Sequence, residues 1–188
     1  MVRPYFSSHC KAYTVSSLTQ SSCQGNYRCS LAGCDLNRRY LDGNADAHPS
    51  VVALKELLYS QQSSRGIALF LDLHGHSAKK NAFVYGCDPN LTEKREEDED
   101  NLDPKDLQRR RRFCHLFPRM LSRVSPHFFS FTDCSFKVQR AKRGTGRVFA
   151  WNNVGVHASY TVEISFCGIL LFILPSVVFD RQLLSACR

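Results

Sequence analysis

The chain has 188 residues, 43% apolar and 22% charged, which allows one sizeable core and is the ordinary composition of a single globular domain. Its nine cysteines are odd in number and scattered, and the opening MVRPYFSSHCKAYTVSSLTQSS is polar and serine-rich, so a disulfide-stapled secreted fold gives way to reduced thiols in a cytosolic or nuclear chain. The net charge of +8 is concentrated: residues 93–103 carry seven acids against Lys94 and Arg95, whereas residues 104–151 carry twelve Lys and Arg against Asp106 and Asp133. Such a basic segment either attracts an anionic partner or is a solvated helix face.

Residues 1–24 show no sustained period and read as an irregular lead-in. GNYRCSLAGCDLNRRY then packs Asn26, Arg28, Asp35, Asn37, Arg38 and Arg39 among small residues, a loop dense in hydrogen-bonding groups. Arg38 beside Asn37 suits a planar carboxylate, because guanidinium offers a two-pronged fork and the amide a neighbouring donor; a plain surface pair with Asp35 is the alternative. Cys29 and Cys34 make half of a zinc knuckle at most, since no second close pair completes it. His48-Pro49-Ser50 opens a short helix with Val51, Leu54, Leu57 and Leu58 on one face, and His48 fails as the start of a His-x-x-Glu site because Val51 stands where the acid is needed.

The run Ile67–Leu71 into Asp72, Leu73, His74, Gly75, His76 and Ser77 predicts a central strand buried on both faces that delivers polar groups at its C-terminal end, where open α/β sheets hold their ligands. These histidines are either core or cap residues or a metal or catalytic pair. Asn81–Val84 reads as a short extended piece, and the acidic run after it as an exposed loop. Asp103-Pro104 predicts a helix start; the helix carries Leu107, Cys114, Phe117, Met120, Leu121 and Val124, projects Arg109 to Arg112, and kinks at Pro118. Aromatic-rich Phe128–Val138 reads as a strand, and QRAKRGTGRVFAW as a mobile basic loop with Arg140, Lys142, Arg143 and Arg147. Its lysine precedes the glycines, the reverse of a phosphate-binding loop. SYTVEISF alternates as an inner strand with Glu163 in the middle, a costly place for a carboxylate unless it is paired, hydrated or functional. ILLFILPSVVF is too short to span a bilayer and either packs on a core or forms an exposed patch.

GNYRCSLAGCDLNRRY, FLDLHGHSAKKNAFVYGCD and RGTGRVFAWNN with SYTVEISFCG, in that order over residues 25–168, resemble the cytosolic branch of the zinc carboxypeptidase family, which trims glutamates from tubulin and other acidic tails. The resemblance implies an α/β fold, a mixed sheet flanked by helices, here incomplete: a divergent lead-in at 1–24, a partial catalytic domain at 25–168 and a divergent apolar tail at 169–188. It implies that His74 is a zinc ligand, Glu163 the general base, Arg28 the group that polarises the scissile carbonyl, and Asn37 and Arg38 the holders of the substrate's terminal carboxylate. His74 is then expected at the edge of the central strand, with Glu163 across the same cleft and Asn37 and Arg38 on its floor. The implied partners are glutamate-rich protein C-termini such as those of tubulin, in the cytosol and at microtubules or cilia.

Two departures qualify this. The family carries a His-x-x-Glu pair upstream that supplies two zinc ligands, whereas residues 1–24 contain only His9, with Ala12 three places on. A catalytic zinc takes three protein ligands, and His76 does not replace the missing ones without a carboxylate that the neighbourhood offers only as Asp72. The branch also carries an N-terminal β-sandwich domain, which this chain is expected to lack. The expectation is a metallocarboxypeptidase by descent, with zinc weak or absent and no peptide hydrolysis; the alternative is a non-catalytic module that binds acidic C-termini. Nucleic-acid binding is set aside, because the basic segment has neither interleaved aromatics nor a zinc-finger pattern.

Overall fold

A computed structural model describes residues 29, 30, 32–92 and 103–166, and the backbone of three further strands at 2–6, 11–15 and 176–180. The strands are β1 (Val2–Phe6), β2 (Lys11–Val15), β3 (Ile67–His76), β4 (Ala82–Tyr85), β5 (Ser159–Ser165) and β6 (Ser176–Asp180), arranged as one sheet in the order β1-β2-β6-β3-β5-β4. β3 and β5 pair parallel and the other neighbours antiparallel, so the sheet is mixed as expected. Among the described residues four α-helices accompany it: α1 (Pro49–Ser64), α2 (Pro104–Phe113), α3 (Leu116–Val124) and α4 (Gly146–Asn152). None of the described helices is long and apolar enough to cross a membrane.

β3 earns its interior place from its composition. Phe70 packs into a cluster with Leu58 of α1 and Phe149 and Ala150 of α4, while Leu69 and Leu71 pack with Tyr160, Val162, Phe117 and Leu121 on the other side. Alternate residues of one strand therefore feed two cores, and each large side chain removed from water contributes about 1.5–3 kcal/mol. α1 starts with Pro49 in its first turn and stops at Gly66, whose φ of 76° turns the chain into β3 while its N–H reaches back to Gln61 and Gln62 carbonyls. His48 is a buried residue at the head of α1, 3.5 Å from Asp42, and not part of a metal set.

Several expectations are corrected. Residues 1–24 are not irregular throughout, since β1 and β2 form a hairpin there; five residues each are too few to show a period, and Pro4 is tolerated because β1 is the edge strand. In the tail, residues 176–180 join the sheet between β2 and β3. Phe128–Val138 is not a strand: its backbone pairs with β4 through isolated bridges at Phe129 and Ser135, and its Phe129, Phe131 and Phe136 fill the core from a loop. The helix after Asp103 breaks at Cys114–His115 and not at Pro118, which is buried in the first turn of α3, where a missing N–H costs nothing. Of the apolar residues on these helices, Met120 and Val124 face solvent, Val124 at 79% exposure. The acidic run at 93–102 lies outside the described residues.

Arg109 to Arg112 do not all project. Arg110 is only 3% exposed; its Nε donates to Asp106 Oδ2 at 2.8 Å, its Nη1 donates to the Trp151 carbonyl at 2.7 Å, and it lies over the Trp151 ring. His157 Nε2 sits 2.6 Å from the other Asp106 oxygen. Asp103 caps this helix as expected, accepting from Lys105 N at 3.1 Å. Burial pushes the Asp106 carboxyl up, but the hydrogen bonds and charges of His157 and Arg110 outweigh it and hold the group below the usual carboxylate range. A carboxyl held lower in the folded state contributes stability above its unfolded pKa, near about 4, and loses it as pH falls through the folded value. Urea unfolding should accordingly show a midpoint that drops on acidification below about pH 4. Asp106→Asn should cost about 2 kcal/mol at neutral pH and flatten the acid dependence, because it strands a buried guanidinium; an unchanged midpoint would mean that Arg110 is compensated elsewhere.

Candidate active site

Parallel pairing fixes the site. β3 and β5 run in a register that sets Asp72 opposite Thr161 and His74 opposite Glu163, and paired residues project to the same face. Asp72, His74 and His76, two apart along β3, thus share with Glu163 the face that carries α1 and α4, toward the C-terminal ends of both strands.

A 3₁₀ turn, Leu36–Arg38, lies against this face, capped by Asp35, whose carboxylate accepts from Asn37 N at 3.0 Å. Asn37 is its centre. Its Oδ1 accepts the Gly146 N–H at 2.9 Å, which fixes the orientation of the amide, and its Nδ2 donates to Asp72 Oδ2 at 2.9 Å. His74 Nε2 approaches the other Asp72 oxygen at 2.9 Å. The 3.2 Å between Asn37 Nδ2 and His74 Nε2 is then two donors side by side on one carboxylate, not a third hydrogen bond. His74 is left with Nδ1 as its acceptor atom, the far side of its ring being held by Asp72 in the manner of a carboxylate behind a metal-binding histidine.

Arg38, 28% exposed, donates Nη1 to the Asn37 carbonyl at 2.8 Å and stands 4.0 Å from Asp35. The surface pair with Asp35 is therefore loose. The backbone behind it is held close: Tyr40 N–H donates to the Gly144 carbonyl at 3.2 Å, and a Cβ on Gly144 would lie 2.5 Å from the Arg38 carbonyl oxygen. Arg147 is no part of a mobile loop; it is buried in the first turn of α4, donating to the Gly86 carbonyl.

Burial opposes charge on His74, but the Asp72 hydrogen bond and charge, with the charge of Glu163, carry its pKa above the ordinary histidine value against Arg38. Burial raises Glu163, helped by Asp72 and opposed by His74, His76 and Lys142. Such a carboxyl is suited to receiving and returning a proton. His76 spends its Nδ1 on the Ala78 and Lys79 N–H groups at 3.0 and 3.1 Å and sets its ring edge against Phe83.

Of the residues singled out from sequence, Asn37, Arg38, His74 and Glu163 are brought together, and Arg28 lies outside the described residues. Sequence reasoning gave no role to Asp72 as the group that grips His74 and Asn37, although its place two residues before His74 is the signal; Gly144 and Gly146 as the close-approach points carried none. His74 fits as one zinc ligand backed by a carboxylate. A catalytic zinc takes three, and among the described residues no second and third donor converge on it, so the set does not fit a complete centre.

Over 147 residues, 78% of this chain, the sequence is 44% identical to cytosolic carboxypeptidase 3 of Mus musculus. The chain belongs to the cytosolic carboxypeptidase family. It is likewise 43% identical over 145 residues to cytosolic carboxypeptidase 1 of Danio rerio and 42% over 149 residues to cytosolic carboxypeptidase 2 of Mus musculus. The chain spans only 13%, 12% and 15% of the length of these three relatives. No protein-family model matches it. Among solved structures, the metallo-carboxypeptidase from Pseudomonas aeruginosa matches with a TM-score of 0.55 and 24% identity, covering 76% of this chain and 33% of that one. The metallo-carboxypeptidase from Burkholderia cenocepacia matches with a TM-score of 0.53 and 21% identity, over 76% and 32%. These two likenesses establish the fold of this cytosolic carboxypeptidase segment.

Gly144→Ala should push the Arg38 backbone away and loosen the Asn37 to Asp72 contact, at a cost of about 1–3 kcal/mol. Gly43→Ala, with nothing within 4 Å of the added carbon, is the control. Thermal unfolding and the His74 ring resonances should move in the first variant and not in the second; equal behaviour of the two would show that the close approach does not shape the site.

Proposed function

We propose that this chain carries part of a cytosolic metallocarboxypeptidase site for removing glutamates from acidic protein C-termini, tubulin tails among them, in the cytosol and at microtubules or cilia. The observation that carries the reading is His74 opposite Glu163 in the β3–β5 register, with Arg38 beside them. In a completed site Glu163, raised by burial, would take a proton from the attacking water and return it to the leaving amine nitrogen. Arg38 offers its remaining donors to the terminal carboxylate. Asn37 is the weaker candidate for that task, because both ends of its amide are engaged. Asp72 keeps the His74 ring in place. Around His74 the described residues supply one ligand of the three that zinc needs, so the chemistry here rests on the chain's own groups.

On this reading the 188-residue chain binds acidic tails and does not cleave them. A glutamate-ended peptide should bind weakly, more weakly in salt, and about tenfold worse to Arg38→Ala, or ~1.4 kcal/mol. Incubation with zinc should release no glutamate by mass spectrometry. Release that stops with chelator and with Glu163→Gln would overturn the inactivity, and binding indifferent both to Arg38→Ala and to amidation of the peptide's C terminus would overturn the carboxylate assignment.

A further inference from the structure

Away from this site, Asp88, Cys114 and His115 bring one carboxylate oxygen, one sulfur and one ring nitrogen within 4.8 Å of one another. Asp88 follows the end of β4 that pairs with the start of β5, whereas Glu163 stands near the other end of β5, so the two places are separate. Cys114 and His115 are the two residues at the break between α2 and α3. Asp88 is anchored: its N–H donates to the Phe136 carbonyl at 2.9 Å, and its Oδ1 accepts from Asn90 N at 2.8 Å, leaving Oδ2 facing His115 Nε2 at 2.9 Å.

We propose that Asp88, Cys114 and His115 form a zinc site that pins the α2–α3 junction to the loop after β4, with water as the fourth ligand. The donor set is the argument. Sulfur, imidazole and carboxylate together select zinc or its cobalt surrogate over magnesium or calcium, which take oxygen donors. One thiolate and one carboxylate offset the two positive charges of the ion, so a site in which Cys114 is 1% exposed holds no net charge. His115, 27% exposed, leaves a way in from solvent. In the metal-free chain burial, with the Asp88 charge, pushes the Cys114 thiol up to about 12, so binding must release that proton to solvent as the Cys114 Sγ–metal bond forms. The proton on His115 Nε2 passes through solvent to Nδ1, so the Asp88–His115 hydrogen bond is exchanged for two metal bonds, and Asn90 continues to orient the carboxylate.

Cobalt separates this site from the His74 pocket, because only a thiolate gives the intense near-ultraviolet sulfur-to-cobalt band. Titration of the metal-free chain with cobalt alone should develop that band and saturate at one equivalent. Cys114→Ser should abolish it, His115→Gln should weaken cobalt binding more than tenfold, and His74→Ala should leave the band unchanged. Absence of the band, or a band that survives in a Cys114→Ser chain with unaltered circular dichroism, would overturn the proposal. If Cys114→Ser fails to fold, the part-exposed His115→Gln decides in its place: unchanged cobalt affinity there overturns it equally. Loss of the band in His74→Ala would also overturn it.

Discussion

The pairing of β3 with β5 governs the rest of the molecule. Its register puts His74 opposite Glu163, and because side chains alternate between faces, a slip of one residue would send Glu163 into the cluster around Tyr160 and Val162. That cluster opposes the slip. Val162 and Ile164 fit among aromatic and aliphatic groups, and a carboxylate in their place would be desolvated without a partner. The hydrophobic pattern of two strands thus holds two polar groups at one place on the other face.

The second constraint is local and polar. Asn37 joins three stretches far apart in sequence: its own 3₁₀ turn, the middle of β3 through Asp72, and the start of α4 through the Gly146 N–H. The amide uses its acceptor and a donor in doing so, and each bond depends on the others for its direction. The consequence for chemistry is a division of labour. Asn37 builds the site, and Arg38, one residue on, keeps donors available for an anion.

Much of this was legible in the chain and some of it was not, for physical reasons. The apolar run into DLHGHS reads as a central strand because a strand packed on both faces needs continuous apolar residues, and the alternation of SYTVEISF places Glu163 on one side only. Asp103-Pro104 reads as a helix start because cap and proline act within one turn. Arg110 and Arg147 looked solvated because a run of cations carries no mark of its distant partners, Asp106 excepted; the Trp151 and Gly86 carbonyls are backbone groups that any residue offers. Phe128–Val138 misled because aromatic content measures burial, and a loop can be buried by its side chains while its backbone pairs at only two bridges. The amide of Asn37 was out of reach for a similar reason, its partners being 35 and 109 residues away.

The place of β3 between β5 and β6 bears on how the chain comes to be folded. Both neighbours follow it in sequence, beyond β4, α2, α3 and α4. During synthesis β3, with its run of five apolar residues, emerges with neither edge paired, and it stays so until residues 159–165 arrive. Long-range parallel pairing is slow to form, and an unpaired apolar edge is a template for other chains. Between the emergence of β3 and that of β5, the apolar edges of β3 are therefore open to pairing with other chains.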